Sequence, residues 1–462
     1  MYSTFKKLFC SVLVLLTCNS ATLFSQNQVK PKITLAFSLQ QAQDYAYENN
    51  YDLKNSATDV KIADKMVKQN TAIGLPQING SASYVDYLSV PTMVIPNFLK
   101  QMDPKVFGDG PDYVPFTFYL EYNVTGSLQL NQLIYSGQYL VGLQTAKAYL
   151  ETAKQKNLKD KIDIRDQVAN GYFLLLVDDE YVKILDSTYV VVSRLADEAR
   201  KQQEQGLIED IDVDQADLNR SNLEAQLTNA RSSRTIAYAN LKFLIGLKDE
   251  QELTLTNDLQ YFLAQVDREA LINQPFDYQR NIDYTLLKKN DYLVLMQYKL
   301  SKTAYQPTLA GFLGISANAY MNSWAFFSDQ YPWYKTTNWG LSLQVPIWSS
   351  GSRKYSVDQA RLNVEKTKVT DEKMRVALEL QVETAKNDFN NAYAIYLNQK
   401  KGFEVALKIY TKTMTQYRQG LASSTDLDQR YNQFLTSNNN YMSAIFAVLS
   451  QKTRLNKLLE QF

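Results

Sequence analysis

The chain has 462 residues, 49 Lys and Arg against 48 Asp and Glu, and no histidine. A net charge of +1 gives no electrostatic case for nucleic acid or an acidic partner, and the missing imidazole removes His-based acid/base chemistry, Ser-His triads and His metal sites. No Asp, Glu or Cys cluster has metal-ligand spacing and no G-x-x-x-x-G-K-[ST] phosphate loop occurs, so the sequence points to no cofactor, no metal and no enzyme.

Lys6 and Lys7 precede the apolar run Val12-Leu13-Val14-Leu15-Leu16, and small and polar residues follow to Ser25. The run is too short for a membrane helix and reads as a secretory signal over residues 1–25; a lipoprotein cut before Cys18 is the alternative. Both cysteines, Cys10 and Cys18, fall in this segment, so the exported chain has no disulfide. No later run approaches the ~18 apolar residues of a transmembrane helix. An exported chain without one is either soluble or spans as a β-barrel.

Residues 33–50 read as short mixed elements. A strand is expected from Gln77 to Leu88, after the helix-breaking Pro76. A loop over 89–115 holds Pro91, Pro96, Pro104, Pro111 and Pro115. From Phe116 to Asn131 the chain then alternates: Phe116, Phe118, Leu120, Tyr122, Val124, Leu128 and Leu130 point one way, Thr117, Tyr119, Glu121, Asn123, Thr125, Ser127, Gln129 and Asn131 the other. This period of two predicts a strand with one oily and one wet face, at membrane length.

Residues 137–204 form one proline-free helical pattern, with Val168, Tyr172, Leu175, Val182, Leu185 and Tyr189 recurring at helical steps. At 1.5 Å per residue it would be about 100 Å long, and a helix of that length must lie against others in a coiled-coil wall. Gly206 ends it, and a second helix is expected over 212–245, ended by Gly246. Residues 247–285 read as a mixed equatorial segment. The order then repeats: a strand over 308–321 after Pro307, an aromatic loop (Trp324, Phe326, Phe327, Tyr331, Trp333, Tyr334), a strand over 337–347, a long helix over 351–419 and a helix over 426–460. Aromatic residues flanking an apolar band read as a membrane girdle or as the core of the loop.

The repetition is written in the residues. Gln205-Gly206-Leu207 followed by Asp212-Val213-Asp214-Gln215 recurs as Gln419-Gly420-Leu421 followed by Asp426-Leu427-Asp428-Gln429, at an offset of 214 (420 − 206). Gly137 and Gly351, and Gly126 and Gly340, keep that offset. Two halves result, 26–246 and 286–462, on either side of the equatorial segment. The expected fold class is an α+β membrane protein: a long α-helical coiled-coil barrel with four β-strands per chain. Four strands cannot close a barrel, and an open edge is not tolerated in lipid, so several chains must share one.

This order, with the Gln-Gly-Leu turns at the helix tips, resembles the TolC-type outer-membrane efflux protein family from about Leu39 to the carboxyl end. Ser38-Leu39-Gln40-Gln41-Ala42 with Asn49-Asn50-Tyr51-Asp52-Leu53 is similar to the family's first helix. The resemblance implies a homotrimer sharing a twelve-stranded barrel in outer-membrane lipid, a helical tunnel through the periplasm, and as partners a periplasmic adaptor (membrane fusion) protein and an inner-membrane RND or ABC transporter. It implies a periplasmic gate at the helix tips, where Tyr417, Gly420 and Asp426 match the family's pattern. Gln429 stands where that pattern has a second acid, with Asp428 adjacent, and Ala422 stands where it has an arginine, leaving Arg418 or Arg430 as substitutes.

Asp212, Asp426 and Asp428 are therefore gate candidates, although acids in a helix's first turn also serve as caps. Tyr417 reads as packing or as a latch. Gly206, Leu207, Gly420 and Leu421 are first helix ends and, by resemblance, adaptor-docking candidates. Trp324, Phe326, Phe327, Trp333 and Tyr334 are girdle candidates, and Phe462 is a terminal aromatic at a helix end. The expected function is the exit duct of a tripartite efflux pump for small molecules. A type I secretion duct, or a poreless periplasmic coiled-coil adaptor, is the alternative.

Overall fold

The computed structural model describes residues 33–102, 110–248, 251–324, 326 and 332–460. The signal segment with Lys6, Lys7, Cys10 and Cys18, and also Pro104, Phe327, Tyr331 and Phe462, lie outside the described residues.

Two helices of about 100 Å dominate, α4 (Gly137–Glu204) and α9 (Ser352–Arg418). Each turns back into a shorter partner, α5 (Asp210–Ile245) and α10 (Ser424–Leu459). The α4–α5 and α9–α10 pairs pack through α4 against α10. At the other end α2 (Tyr51–Ile73) lies along α4, and α8 (Ile282–Lys302) lies between α4 and α9. The α4 stripe read from the sequence is the buried one: Val168, Tyr172, Leu175, Val182 and Leu185 are buried and Tyr189 is partly so. None of the described helices is long and apolar enough to cross a membrane.

The largest core sits at the waist. There β1 (Ile33–Phe37) pairs in parallel with β6 (Gln251–Leu255), flanked by α1 (Leu39–Asn49) and α6 (Leu259–Ala264), with α7 (Arg268–Asn273) beyond. Tyr172, fully buried, donates from its hydroxyl to the Phe37 carbonyl at 3.0 Å and accepts from the Asn257 backbone N–H at 3.3 Å. One α4 side chain thus ties the amino-terminal segment to the 247–285 segment. Gly246 ends α5 at φ +73°, and a Cβ there would meet the Asn49 carbonyl oxygen at 2.3 Å, so both backbone angle and close approach require glycine.

The sheet is antiparallel in the order β2 (Gln77–Asp86), β5 (Tyr122–Ser136), β7 (Thr308–Met321), β8 (Tyr334–Gln344). The β5–β7 ladder joins the two halves, and β2 and β8 are open edges. Register puts Ile78, Leu130, Leu313 and Trp339 in one row and Asn79, Gln129, Gly314 and Asn338 in the next. One face is therefore apolar and the other polar. The polar face is internally bonded, with Ser81 and Ser127 hydroxyls 2.7 Å apart and Thr125 donating to Asn318 at 2.8 Å. On the apolar face Ile78, Leu128, Trp339, Leu341 and Leu343 are exposed.

Two strand expectations are corrected. The stretch 116–131 is not one strand. Phe116 and Thr117 belong to β4 (Tyr113–Thr117), which pairs with β3 (Thr92–Pro96), whereas β5 starts at Tyr122 and continues to Ser136. Asp86 faces Tyr122 but Thr92 faces Thr117, so residues 87–91 oppose 118–121 in an irregular joint. The extra residue lies on the partner strand, so alternation in 116–131 runs through the break and hides it. The strand expected at 337–347 spans 334–344, because Thr308 is the last partner that β7 offers, to Gln344, and Pro307 precedes it. The short α3 (Phe98–Met102) follows β3.

Candidate functional site

Both helix tips are built by one motif. Gly206 (φ +70°) follows α4 and Gly420 (φ +73°) follows α9. Leu207 donates its backbone N–H to the Gln202 carbonyl at 2.9 Å and Gly206 to Gln203 at 2.8 Å; Leu421 donates to Gln416 at 2.8 Å and Gly420 to Tyr417 at 2.9 Å. These paired bonds are Schellman closures that satisfy the last carbonyls of each long helix. A Cβ on either glycine would touch nothing within 4 Å, so the left-handed angle alone selects glycine. Leu207 and Leu421 stand in the open, 68% and 73% exposed.

The entries to the return helices break the symmetry. Ser423 caps α10: its hydroxyl accepts from the Asp426 backbone N–H at 3.1 Å and donates to the Asp426 carboxylate at 2.7 Å. That hydroxyl and the Ser423 backbone N–H hold the Asp426 carboxyl below its usual range. Glu209 stands at the same position before α5 and makes no side-chain cap. Asp212, the repeat equivalent of Asp426, instead accepts a short hydrogen bond from the Ser424 hydroxyl across the gap between the tips.

A cavity of about 40 Å³ lies inside these four helices, lined among others by Asp212, Asn219, Tyr410, Tyr417, Asp428 and Tyr431. A water needs ~10–15 Å³, so the space suits about three or four. Among the described residues the buried hydroxyls of Tyr410 and Tyr431 find no hydrogen-bond partner, and burial pushes Tyr410 up to about 12. Burial, then the Asp212 carboxylate, then Glu198 raise Tyr417. Arg418 reaches Glu198 on α4 at 3.4 Å, while Arg430 bonds Gln433 on its own helix. Of the gate candidates, Asp212, Asp428 and Tyr417 share this cavity, whereas Asp426 faces solvent in its cap. Ser424, Tyr410 and Tyr431 were not singled out from the sequence. Position 424 carries no signal beyond its place next to a cap, and the two tyrosines are hidden among many.

Far from the tips, Trp324, Trp333 and Tyr334 lie at the outer end of the sheet and are partly or fully exposed. Phe326, expected with them in a girdle, is buried instead. Its ring stands 5.1 Å from Trp324 and 6.1 Å from Tyr84, and its carbonyl accepts from the Trp333 indole N–H at 3.2 Å. It is core, packed with Ala319 and Met321.

A two-faced sheet, a coiled-coil body and paired tips repeated in one chain frame the comparison with known proteins. The sequence profile of outer membrane efflux proteins matches residues 43–247 and 294–460. The chain belongs to the outer membrane efflux protein family. Similar solved structures include CusC, with 13% identity and a TM-score of 0.69 over 93% of this chain and 94% of that one. The Campylobacter jejuni CmeC outer membrane channel gives 16% and 0.68 over 91% and 85%. The open state of the Neisseria gonorrhoeae MtrE outer membrane channel gives 15% and 0.66 over 91% and 88%. At these identities the likeness is one of fold. No curated protein matches the chain significantly in sequence. As an outer membrane efflux protein the chain acts in efflux at the outer membrane, and its helical coiled coil with a four-stranded sheet is the fold of those solved structures.

Proposed function

We propose that three copies pool their sheets into one twelve-stranded barrel in the outer membrane, continued through the periplasm as a helical tunnel. The chain then acts as the passive exit duct of a tripartite pump. The observation that carries this reading is the sheet itself: one exposed apolar face, one hydrogen-bonded polar face, and two open edges, β2 and β8. An open edge in lipid leaves backbone groups unsatisfied, and closure with other copies removes the edges. The polar face then lines a wet lumen. Residues 1–25 serve as the export signal.

In this reading the tips are the gate. Asp212 joins the α5 and α10 entries through Ser424, Asp428 and Tyr417 line the cavity behind that bond, and Asp426 contributes charge at the mouth. The exposed Leu207 and Leu421, on their glycine turns, offer apolar contacts to a periplasmic adaptor, which couples the duct to an inner-membrane RND or ABC transporter. Substrates are small molecules that leave chemically unchanged. The test is size and conductance: detergent-extracted protein should have the mass of three chains and form ion-conducting pores in planar bilayers. A water-soluble monomer without pore activity would end the proposal.

A further inference from the structure

The β3–β4 hairpin stands at the end of the sheet opposite the helices, continued from β2 and β5 by the Tyr87 N–H to Glu121 carbonyl bond of 2.8 Å. Rings of Tyr84, Tyr87, Tyr119, Tyr122 and Trp324 cluster at that joint, the level at which aromatic residues meet lipid headgroups. The 15 residues of β5, at about 3.4 Å each and tilted about 40°, already rise roughly 39 Å, more than the ~30 Å apolar core of a bilayer. The hairpin therefore projects into water. Yet both its faces are apolar: Met93 opposite Phe116 and Ile95 opposite Val114 on one, Val94 opposite Pro115 and Pro96 opposite Tyr113 on the other. Met93 is 57% and Val94 69% exposed.

Its cover has to pack on faces, because Pro96 and Pro115 put a proline on each strand and oppose addition of a further strand. Lipid is a poor cover, since the far end, although it exposes Phe98 and Met102, carries an ion pair: Lys100 pairs with Asp112 at 2.8 Å and Asn97 donates to the Pro111 carbonyl at 3.1 Å. The connection in the second half, 322–333, is too short for a comparable ribbon. One hairpin per chain thus awaits a partner, and a two-stranded ribbon alone is marginal in water.

The geometry points to the same hairpin of the other two copies, so that three pack face to face as an apolar collar over the outer mouth. This rests on the shared-barrel reading. Twelve strands about 4.8 Å apart and tilted about 40° give a radius near 12 Å, which puts equivalent points of three copies about 20 Å apart. Sheet layers pack about 10 Å apart, so a modest inward lean closes the gap.

Single cysteines test this, Met93→Cys on one face and Val94→Cys on the other, oxidised with copper–phenanthroline in intact outer membranes. The chain's own thiols, Cys10 and Cys18, are controlled by the unsubstituted protein. The expected result is a disulfide-linked dimer holding about half of the chains at one position or both; with one thiol in each of three copies, no more than two-thirds can pair. If native gels show an intact trimer and fewer than about a tenth of chains cross-link at either position, the collar does not exist. Reactivity to a water-soluble maleimide then means hairpins standing apart, and protection from it means hairpins lying in lipid; both overturn the proposal. A chain that is not trimeric fails the shared barrel first, and a native gel separates that outcome.

Discussion

Ser424 on α10 donates its hydroxyl to Asp212 on α5, so one hydrogen bond joins the return helices of the two repeats at their tips. Its partners are not repeat-equivalent. Asp212 is free to reach across because Glu209 makes no cap, while its counterpart Asp426 is taken up by Ser423. The shared Gln-Gly-Leu and Asp-x-Asp-Gln phrases thus carry one bridging acid and one capping acid, because the residues between them differ.

Removing the bridge should therefore open the tips. A hydrogen bond to a carboxylate contributes about 1.5–3 kcal/mol, less here because the pair is only partly buried. Loss of about 1.4 kcal/mol would shift the closed–open balance tenfold. Ser424→Ala and Asp212→Asn should each raise open probability in planar bilayers by roughly that factor. Asp426→Asn should change it less than twofold, and equal effects of all three would show that the bridge plays no part in closure.

Acid should reach the Asp426 cap late, after carboxyls such as Asp166 and Asp178 that burial raises. The folded-state Asp426 carboxyl sits below the ordinary aspartate range of 3.8 because Ser423 bonds the ionised form. A depressed value means that the cap is fully present above about pH 4 and is lost as pH falls through the lower, folded-state value. Amides at residues 423–426 should lose protection, relative to their intrinsic exchange rates, below about pH 4, and Asp426→Asn should remove that step. Protection that stays constant through the acid range in the parent protein would contradict the cap.

Much of this architecture is legible in the residues. Glycines at one offset gave the two halves, and helices as long as α4 and α9 follow from proline-free runs with a steady stripe. The misreadings have local causes. The 116–131 alternation survives a joint whose extra residue lies on the other strand, which one strand cannot reveal. Of the gate candidates, Asp426 and Asp428 stand two residues apart and so face different ways on a helix, and only the packing of α10 decides that Asp428 lines the cavity with Asp212 while Asp426 does not. Phe326 looks like its exposed aromatic neighbours in composition, and only its packing with Ala319 and Met321 buries it.

Alkali should act on the tyrosines inside the tips. Burial pushes Tyr410 up to about 12 and raises Tyr417. A raised value means that their contribution is complete below about pH 10, where an unfolded tyrosine starts to ionise, and is lost as pH rises towards 12. Ultraviolet difference spectra of Tyr410→Phe should lack a component titrating near 12. The same variant should keep more of its thermal stability between about pH 10 and 12 than the parent; a lost component near 10 instead of 12, with identical stability profiles, would place that hydroxyl in solvent.

The glycine turns should separate by cause. At Gly206 and Gly420 only the positive φ opposes a side chain, so Gly206→Ala or Gly420→Ala should cost about 1 kcal/mol. At Gly246 a new methyl would also collide with the Asn49 carbonyl oxygen. Gly246→Ala should lower the melting temperature several times further than either tip variant. Equal losses would mean that the waist relaxes around the added carbon.

Tyr172 offers the most direct measure of the waist. Its hydroxyl serves the Phe37 carbonyl and the Asn257 backbone N–H at once, and its ring packs edge-on to Phe262 at 6.0 Å. Tyr172→Phe keeps the ring, and the Phe37 carbonyl retains the Thr256 backbone N–H at 3.1 Å, but the Asn257 N–H is left to find a new partner, at about 1–3 kcal/mol where it stays dry. The variant should lose thermal stability, and hydrogen exchange at 33–37 and 251–257 should quicken while exchange at the tips stays as it was. Channel conductance should be unchanged, since the tips lie far along α4. An unaltered exchange pattern at 33–37 would show that the β1–β6 pair is held by its ladder and apolar packing rather than through this hydroxyl.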